Sequence, residues 1–340
     1  MSRQWNIAIF VITLLLLVAF TPSVNAPSPR ISKAVDYLTS HFNPDVGLIY
    51  ESEDSGTHWL KRTEYPSWNW TYSQTFWLYS DNLFAAAALE PFAPDISKAI
   101  ALSIKRFNPL PSGKFESVLG QPVGPDRGAQ DVILFQNRES VVLIRIHNGS
   151  IGDPCFKYAD AMIYDALTKY YLGQREQAQQ LVREVHGLWN GTCILDDGFK
   201  QRELTPGNAP SDVGYGLNFK LALLLYACRV TETNFTDYSQ MEEQLWKMQI
   251  ENGGIASLYQ NGKPLGSANC ETTALTLLIY NTSLLSRLQQ REMAVPEIHS
   301  ITILAVLMIM PILISKIQKV ITLERSHLQP DQPKSIRDQE

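Results

Sequence analysis

Leu245-Trp246-Lys247-Met248-Gln249-Ile250-Glu251-Asn252-Gly253-Gly254-Ile255 decides how this chain is read. The segment Met241 to Ile250 has the spacing of a helix, the adjacent glycines stop it, and Ile255 opens a short apolar strand. A second, more apolar helix is predicted over Glu271 to Leu288. Working outward, the same order of helix, glycine turn and apolar helix recurs, giving four units in all. The first helices are Ile31 to Phe42, Ile96 to Phe107, Glu176 to Trp189 and Met241 to Ile250. They precede the turns Val46-Gly47-Leu48-Ile49, Ser112-Gly113-Lys114-Phe115, Asp196-Asp197-Gly198-Phe199 and Gly253-Gly254-Ile255. The second helices are Asp81 to Pro91, Tyr158 to Leu172, Tyr215 to Val230 and Glu271 to Leu288.

Polar residues such as Lys98, Lys105 and Arg106 leave the first helices one apolar stripe, the pattern of an outer layer. Runs such as Leu83 to Leu89 and Leu221 to Ala227 are apolar nearly all round, as in helices wrapped by others. Val132 to Phe135 and Val141 to Ile146 flank the polar Gln136-Asn137-Arg138-Glu139 and predict a surface β-hairpin that interrupts the helical plan. Alternating outer and inner helices joined at glycine turns resemble the α/α toroid shared by six-hairpin glycosidases, terpenoid cyclases and protein prenyltransferases. Residues 245–255 are similar to the Gln-containing Gly-Gly turn of the cyclase repeats, with Ile255 where an aromatic is usual. Glu271-Thr272-Thr273-Ala274-Leu275 resembles the inner-helix start that follows such a turn. The resemblance implies a mainly α fold: a barrel of outer and inner hairpins, incomplete with four units, carrying a small β-hairpin insertion.

The two ends read differently. Arg3, the uncharged run Ile7 to Phe20 and Val24-Asn25-Ala26 have the order of a signal peptide, placing cleavage after Ala26. Ile298 to Ser315 carries no formal charge and makes a helix of roughly 27 Å, close to the hydrocarbon thickness. Lys316, Lys319 and Arg325 follow it, as expected on the cytoplasmic side. The expected organisation is therefore a signal peptide at 1–26, an exported domain at 27–297, one C-terminal transmembrane helix at 298–320 and a cytoplasmic tail at 321–340. The chain of 340 residues has a net charge of -5 and is 45% hydrophobic, which excludes disorder and a basic nucleic-acid binder. Both flanks are net positive, so the exported segment is more acidic still.

Five Asn-x-Ser/Thr sequons, at Asn69, Asn148, Asn190, Asn234 and Asn281, all fall within that segment. So do Cys155, Cys193, Cys228 and Cys270, an even number in an oxidising compartment, from which one or two disulfides are expected. Glycoprotein character and a cell-surface location follow from these features together.

In the resembled toroid the N-terminal ends of the inner helices meet at one mouth, which makes Asp81, Asp160 and Glu271 the candidate catalytic acids. Asp153, Asp196, Asp197 and Asp212 lie in loops entering the same mouth. Glycosidic chemistry needs a proton donor and a second carboxylate across the sugar ring. The competing reading is that acids in a first helical turn serve as caps. Trp59, Trp68, Trp70 and Trp77, four of the seven tryptophans, precede Asp81, and with Tyr158 and Tyr215 they are the candidate substrate-binding rings. Packing over the top of the barrel is their alternative.

Asp153-Pro154-Cys155 matches the zinc-binding pair of a prenyltransferase, but no histidine follows in an inner helix, and Ile194-Leu195-Asp196-Asp197 lacks the first acid of a cyclase motif. No metal site and no cofactor is expected. The expected partners are the membrane, through the C-terminal helix, and a glycan or a surface protein, with no nucleic acid. The expected function is a membrane-anchored surface protein that binds or cleaves carbohydrate as a glycoside hydrolase or polysaccharide lyase. A non-catalytic interaction domain and an isoprenoid or apolar-ligand pocket are the alternatives.

Overall fold

The computed structural model describes residues 27–51, 74–151, 157–198, 216–260 and 262–290. Both ends fall outside this range, and with them the expected signal peptide, the apolar run 298–320 and the expected tail. Among the described residues no helix is long and apolar enough to cross a membrane.

Each first helix forms close to its predicted place. Helix α1 spans Pro29–Ser40, α3 Pro94–Phe107, α5 Arg175–His186 and α7 Tyr238–Trp246. Proline at the start of α1 and of α3 removes an N–H that has no intrahelical partner. Asn108, at φ 43°, ends α3 in the left-handed region. The more apolar helices are α2 at Phe84–Leu89, α4 at Ala159–Tyr171, α6 at Asn218–Val230 and α8 at Cys270–Leu278. A π-helical segment, Leu78–Leu83, runs into α2. The helix expected over Glu271 to Leu288 breaks at Asn281, and a separate helix, α9, occupies 282–290. One contiguous apolar core joins the helices, with Tyr37, Phe84, Tyr170 and Tyr226 buried in it.

The mainly α toroid is nevertheless not what the chain builds. About 50% of the described residues are helical and 21% are in strands, and the strands form three small sheets. The first sheet is β1, Phe42–Asn43, paired with β2, Leu48–Ile49. In the second, β5, Ser140–Ile151, lies between β3, Gln74–Trp77, and β4, Arg127–Gln136. In the third, β7, Ala256–Gln260, lies between β6, Gly216–Leu217, and β8, Lys263–Ala268.

The expected hairpin forms, with β4 antiparallel to β5 and Val132 opposite Ile144, but it is not confined to the surface. Its strand β5 pairs in parallel with β3, Thr75 opposite Val141 and Trp77 opposite Leu143, and it buries Val141, Val142, Leu143 and Ile144 in succession. A continuous apolar run marks a strand covered on both faces. Only β4, at the sheet edge, turns Ile133 and Phe135 outward.

The opening stretch joins the two ends of the described domain. Gly253 has φ 93°, and a Cβ there would lie 2.3 Å from the Lys33 carbonyl oxygen of α1. At Gly254 a Cβ would lie 2.6 Å from Ala268 Cβ and 2.8 Å from the Tyr37 ring. The side chain of Gln249 donates to the carbonyls of Arg30, at 2.8 Å, and Gly253, at 2.7 Å. The glycine pair is thus required by close approach to α1 as well as by the turn.

Candidate functional site

Three elements are tied together before any acid is considered. Asn82, fully buried in the π-helix, accepts a hydrogen bond from Ile49 N at 2.7 Å and donates to the carbonyls of Ile49 and Trp77, each at 2.9 Å. Glu51 N donates to Thr75 O at 2.8 Å, while Glu51 O accepts from Cys270 N at 3.0 Å. The end of β2, the end of β3 and the start of α8 therefore converge, and Glu51, Asp81 and Glu271 arrive with them. The single-turn π segment is a geometry often found where a helix re-aims a functional side chain.

The three carboxylates line one open pocket, with a cavity volume of about 100 Å³. Trp77, Phe115 and Phe219 give it aromatic walls, and Arg145 from β5 brings a cation. Trp77 Nε1 donates to Glu51 Oε2 at 3.2 Å, and the Arg145 guanidinium sits 5.1 Å over the Trp77 ring. Arg145 also forms a bidentate pair with Asp131, at 2.6 and 2.8 Å.

Burial and mutual repulsion govern the acids. Asp81 is 2% exposed. Its Oδ1 accepts from Ser80 Oγ at 3.0 Å, while its buried Oδ2 has no hydrogen-bond partner. Desolvation first, then the charges of Glu51 and Glu271, push its carboxyl well above the usual range. Desolvation and the Glu51 charge raise Glu271 to about 7, with a smaller push from the Asp160 charge and opposing effects of Arg145 and Lys114. Glu271 is partly exposed. It lies in the first turn of α8, where the helix dipole favours the ionised form, yet burial and repulsion outweigh it. The cap of that helix is Asn269, whose Oδ1 accepts from Thr272 N at 2.9 Å.

Asp160 does not join them. Its carboxylate pairs with Lys114 Nζ at 3.1 Å and Lys220 Nζ at 3.4 Å, and Lys220 also bonds Asp196. Burial alone raises an acid, but these two lysines hold Asp160 below the usual carboxylate range. An acid so firmly ionised and paired is a structural anion. Ala159 N, at the start of α4, donates to Asp196 at 2.9 Å, and Lys157 N, before the helix, donates to Asp197 at 2.6 Å. Tyr158 lies beside this network, the Lys220 ammonium 5.9 Å over its ring, rather than on the pocket wall.

Of the predicted site residues, Asp81, Glu271 and Trp77 therefore come together, and Asp160 and Tyr158 stand apart. Trp59, Trp68, Trp70, Tyr215, Asp153 and Asp212 lie outside the described residues, as do Asn69 and Cys155. Cys193, Cys228 and Cys270 are buried, and none is bridged to another of the three. Asn148, Asn190 and Asn234 are exposed. Asn281 is 2% exposed, so this sequon is closed to a glycan in the folded chain. Among the described residues no group of three or more His, Cys, Asp or Glu is arranged to hold a metal ion.

Glu51 and Arg145 are functional candidates that the sequence reading missed. An acid two residues after the apolar strand Leu48–Ile49, and a lone arginine inside the apolar run of β5, were the signals available for them. No protein-family model, no curated protein and no solved structure matches this chain.

Proposed function

We propose that this is an exported, membrane-anchored protein whose Glu51–Asp81–Glu271 pocket binds carbohydrate and cleaves glycosidic bonds. The observation that carries the reading is Glu271, raised to about 7 in a pocket that holds further carboxylates and aromatic walls. A carboxyl that keeps its proton near neutrality is the donor a leaving glycosidic oxygen needs. Glu51, oriented by the Trp77 indole, supplies the second carboxylate. Phe219, partly exposed at the pocket wall, offers a face on which a sugar ring packs, whereas Trp77 and Phe115 are each only 7% exposed. Support for the location comes from the leader-like N-terminus, the sequons and the apolar run before Lys316 and Lys319.

Reducing-end release from a panel of polysaccharides tests the reading. Wild-type protein is expected to cleave at least one, and Glu271→Gln to lower the rate by about two orders of magnitude or more while oligosaccharide binding persists. Glu271→Gln activity equal to wild type would remove the assignment.

A non-catalytic surface-interaction domain is the second reading, favoured by Ile133 and Phe135, 48% and 41% exposed on edge strand β4. Under it, serine at both positions abolishes partner binding, and Glu271→Gln leaves that binding intact.

A further inference from the structure

The cations of the described structure near the pocket are already matched. Arg145 is held by Asp131 in two hydrogen bonds, at 2.6 and 2.8 Å. Lys114 pairs with Asp160 at 3.1 Å and lies 3.6 Å from Asp126. Lys220 pairs with Asp160 at 3.4 Å and with Asp196. Facing Asp81 are the carboxylates of Glu51 and Glu271 and the Cys270 thiol, all groups that are neutral or negative. Asp81 Oδ2 is buried and has no hydrogen-bond partner. A buried carboxyl oxygen left without a hydrogen-bond partner is costly, and a ligand that brings one recovers that cost.

We propose that the ligand of this pocket carries a protonated primary amine, as in a sugar with a free amino group, and that the ammonium binds Asp81. The proposal rests on the carbohydrate reading above and names its substrate class. An ammonium supplies donors to Oδ2 and a positive charge to a cluster of carboxylates that cannot all ionise together. Its binding drives Asp81 to ionise, so complex formation releases a proton. A neutral N-acetylated sugar brings an amide N–H without the charge, and gains less.

Isothermal titration of the full-length protein with two glucosamine oligomers of equal length, one deacetylated and one fully N-acetylated, tests this. Titrating at pH 6 in two buffers of different ionisation heat counts the protons released. The deacetylated oligomer is expected to bind at least tenfold tighter and to release protons on binding. Asp81→Asn is expected to erase the preference and the proton release while the N-acetylated oligomer still binds.

Equal or tighter binding of the N-acetylated oligomer would overturn the amine proposal and leave the carbohydrate reading standing. Binding of neither oligomer would overturn the amine proposal as well, and the polysaccharide panel then decides the carbohydrate reading separately. Should Asp81→Asn fail to fold, the proton count on wild-type protein still decides, and a count of zero overturns the proposal.

Discussion

Glu271 has opposite consequences for stability and for chemistry. In the unfolded chain its carboxyl loses its proton near 4.5, and in the native pocket near 7. Between those values the native state binds the extra proton, so stability falls as pH rises through this window and stays lower above it. Glu271→Gln removes that cost. Urea unfolding should show the variant more stable than wild type at pH 8, by up to about 3 kcal/mol, with the gain vanishing at pH 4. Equal pH dependence in the two proteins would show that the pocket does not desolvate this acid. Glycine at 253 carries a different constraint, since φ is 93° and a Cβ would meet Lys33 O at 2.3 Å. Gly253→Ala is expected to lower stability by about 2 kcal/mol or more, measured by the same unfolding curves. The turn of Gly253 and Gly254 was legible in the sequence. Its reason was not, because close approach to a helix more than two hundred residues away leaves no local mark.

At the scale of elements, the helices, the β4–β5 hairpin and the short strand at Leu48–Ile49 were legible, and the pairing of strands into three sheets was not. Outer helices such as Pro94–Phe107 carry a one-sided apolar stripe, and the more buried helices such as Asn218–Val230 are apolar nearly all round, so their periodicity gives them away. Strands β7 and β8 are short and mix Ser, Gln, Lys and Gly, so no alternation announces them. Parallel pairing of β3 with β5 joins segments separated by more than sixty residues, which periodicity cannot report. The break at Asn281 is instructive for the same reason. Its Oδ1 accepts from Leu284 N at 2.9 Å, capping α9, and its Nδ2 donates to Ala87 O at 2.8 Å. A sequon and a cap use the same residue types, and burial decides between them. Asn281→Ala is expected to cost about 1–3 kcal/mol, through a lost cap and an unsatisfied buried carbonyl, measurable as a lower urea midpoint.

For the whole molecule, position in the fold sorts acids that look alike in sequence. Asp81, Asp160 and Glu271 each begin or lie near the start of a helix, and helix position alone made them equivalent. Two buried lysines, Lys114 and Lys220, make Asp160 a structural anion. Asp81 and Glu271 meet Glu51 in a pocket that three separate elements assemble through Asn82 and the Glu51 backbone. That convergence is a property of the tertiary fold, which is why Glu51 and Arg145 escaped a reading based on repeats. The proposed chemistry requires Glu271 to hold a proton near neutrality in a site that a glycan occupies. Carbon-detected NMR of the side-chain carboxyls, titrated with and without an oligosaccharide that the protein binds, measures this directly. The prediction is a Glu271 carboxyl that titrates near 7 in the free protein and moves when the sugar is added. A carboxyl that titrates near 4.5, or that is unmoved by a bound sugar, would contradict it.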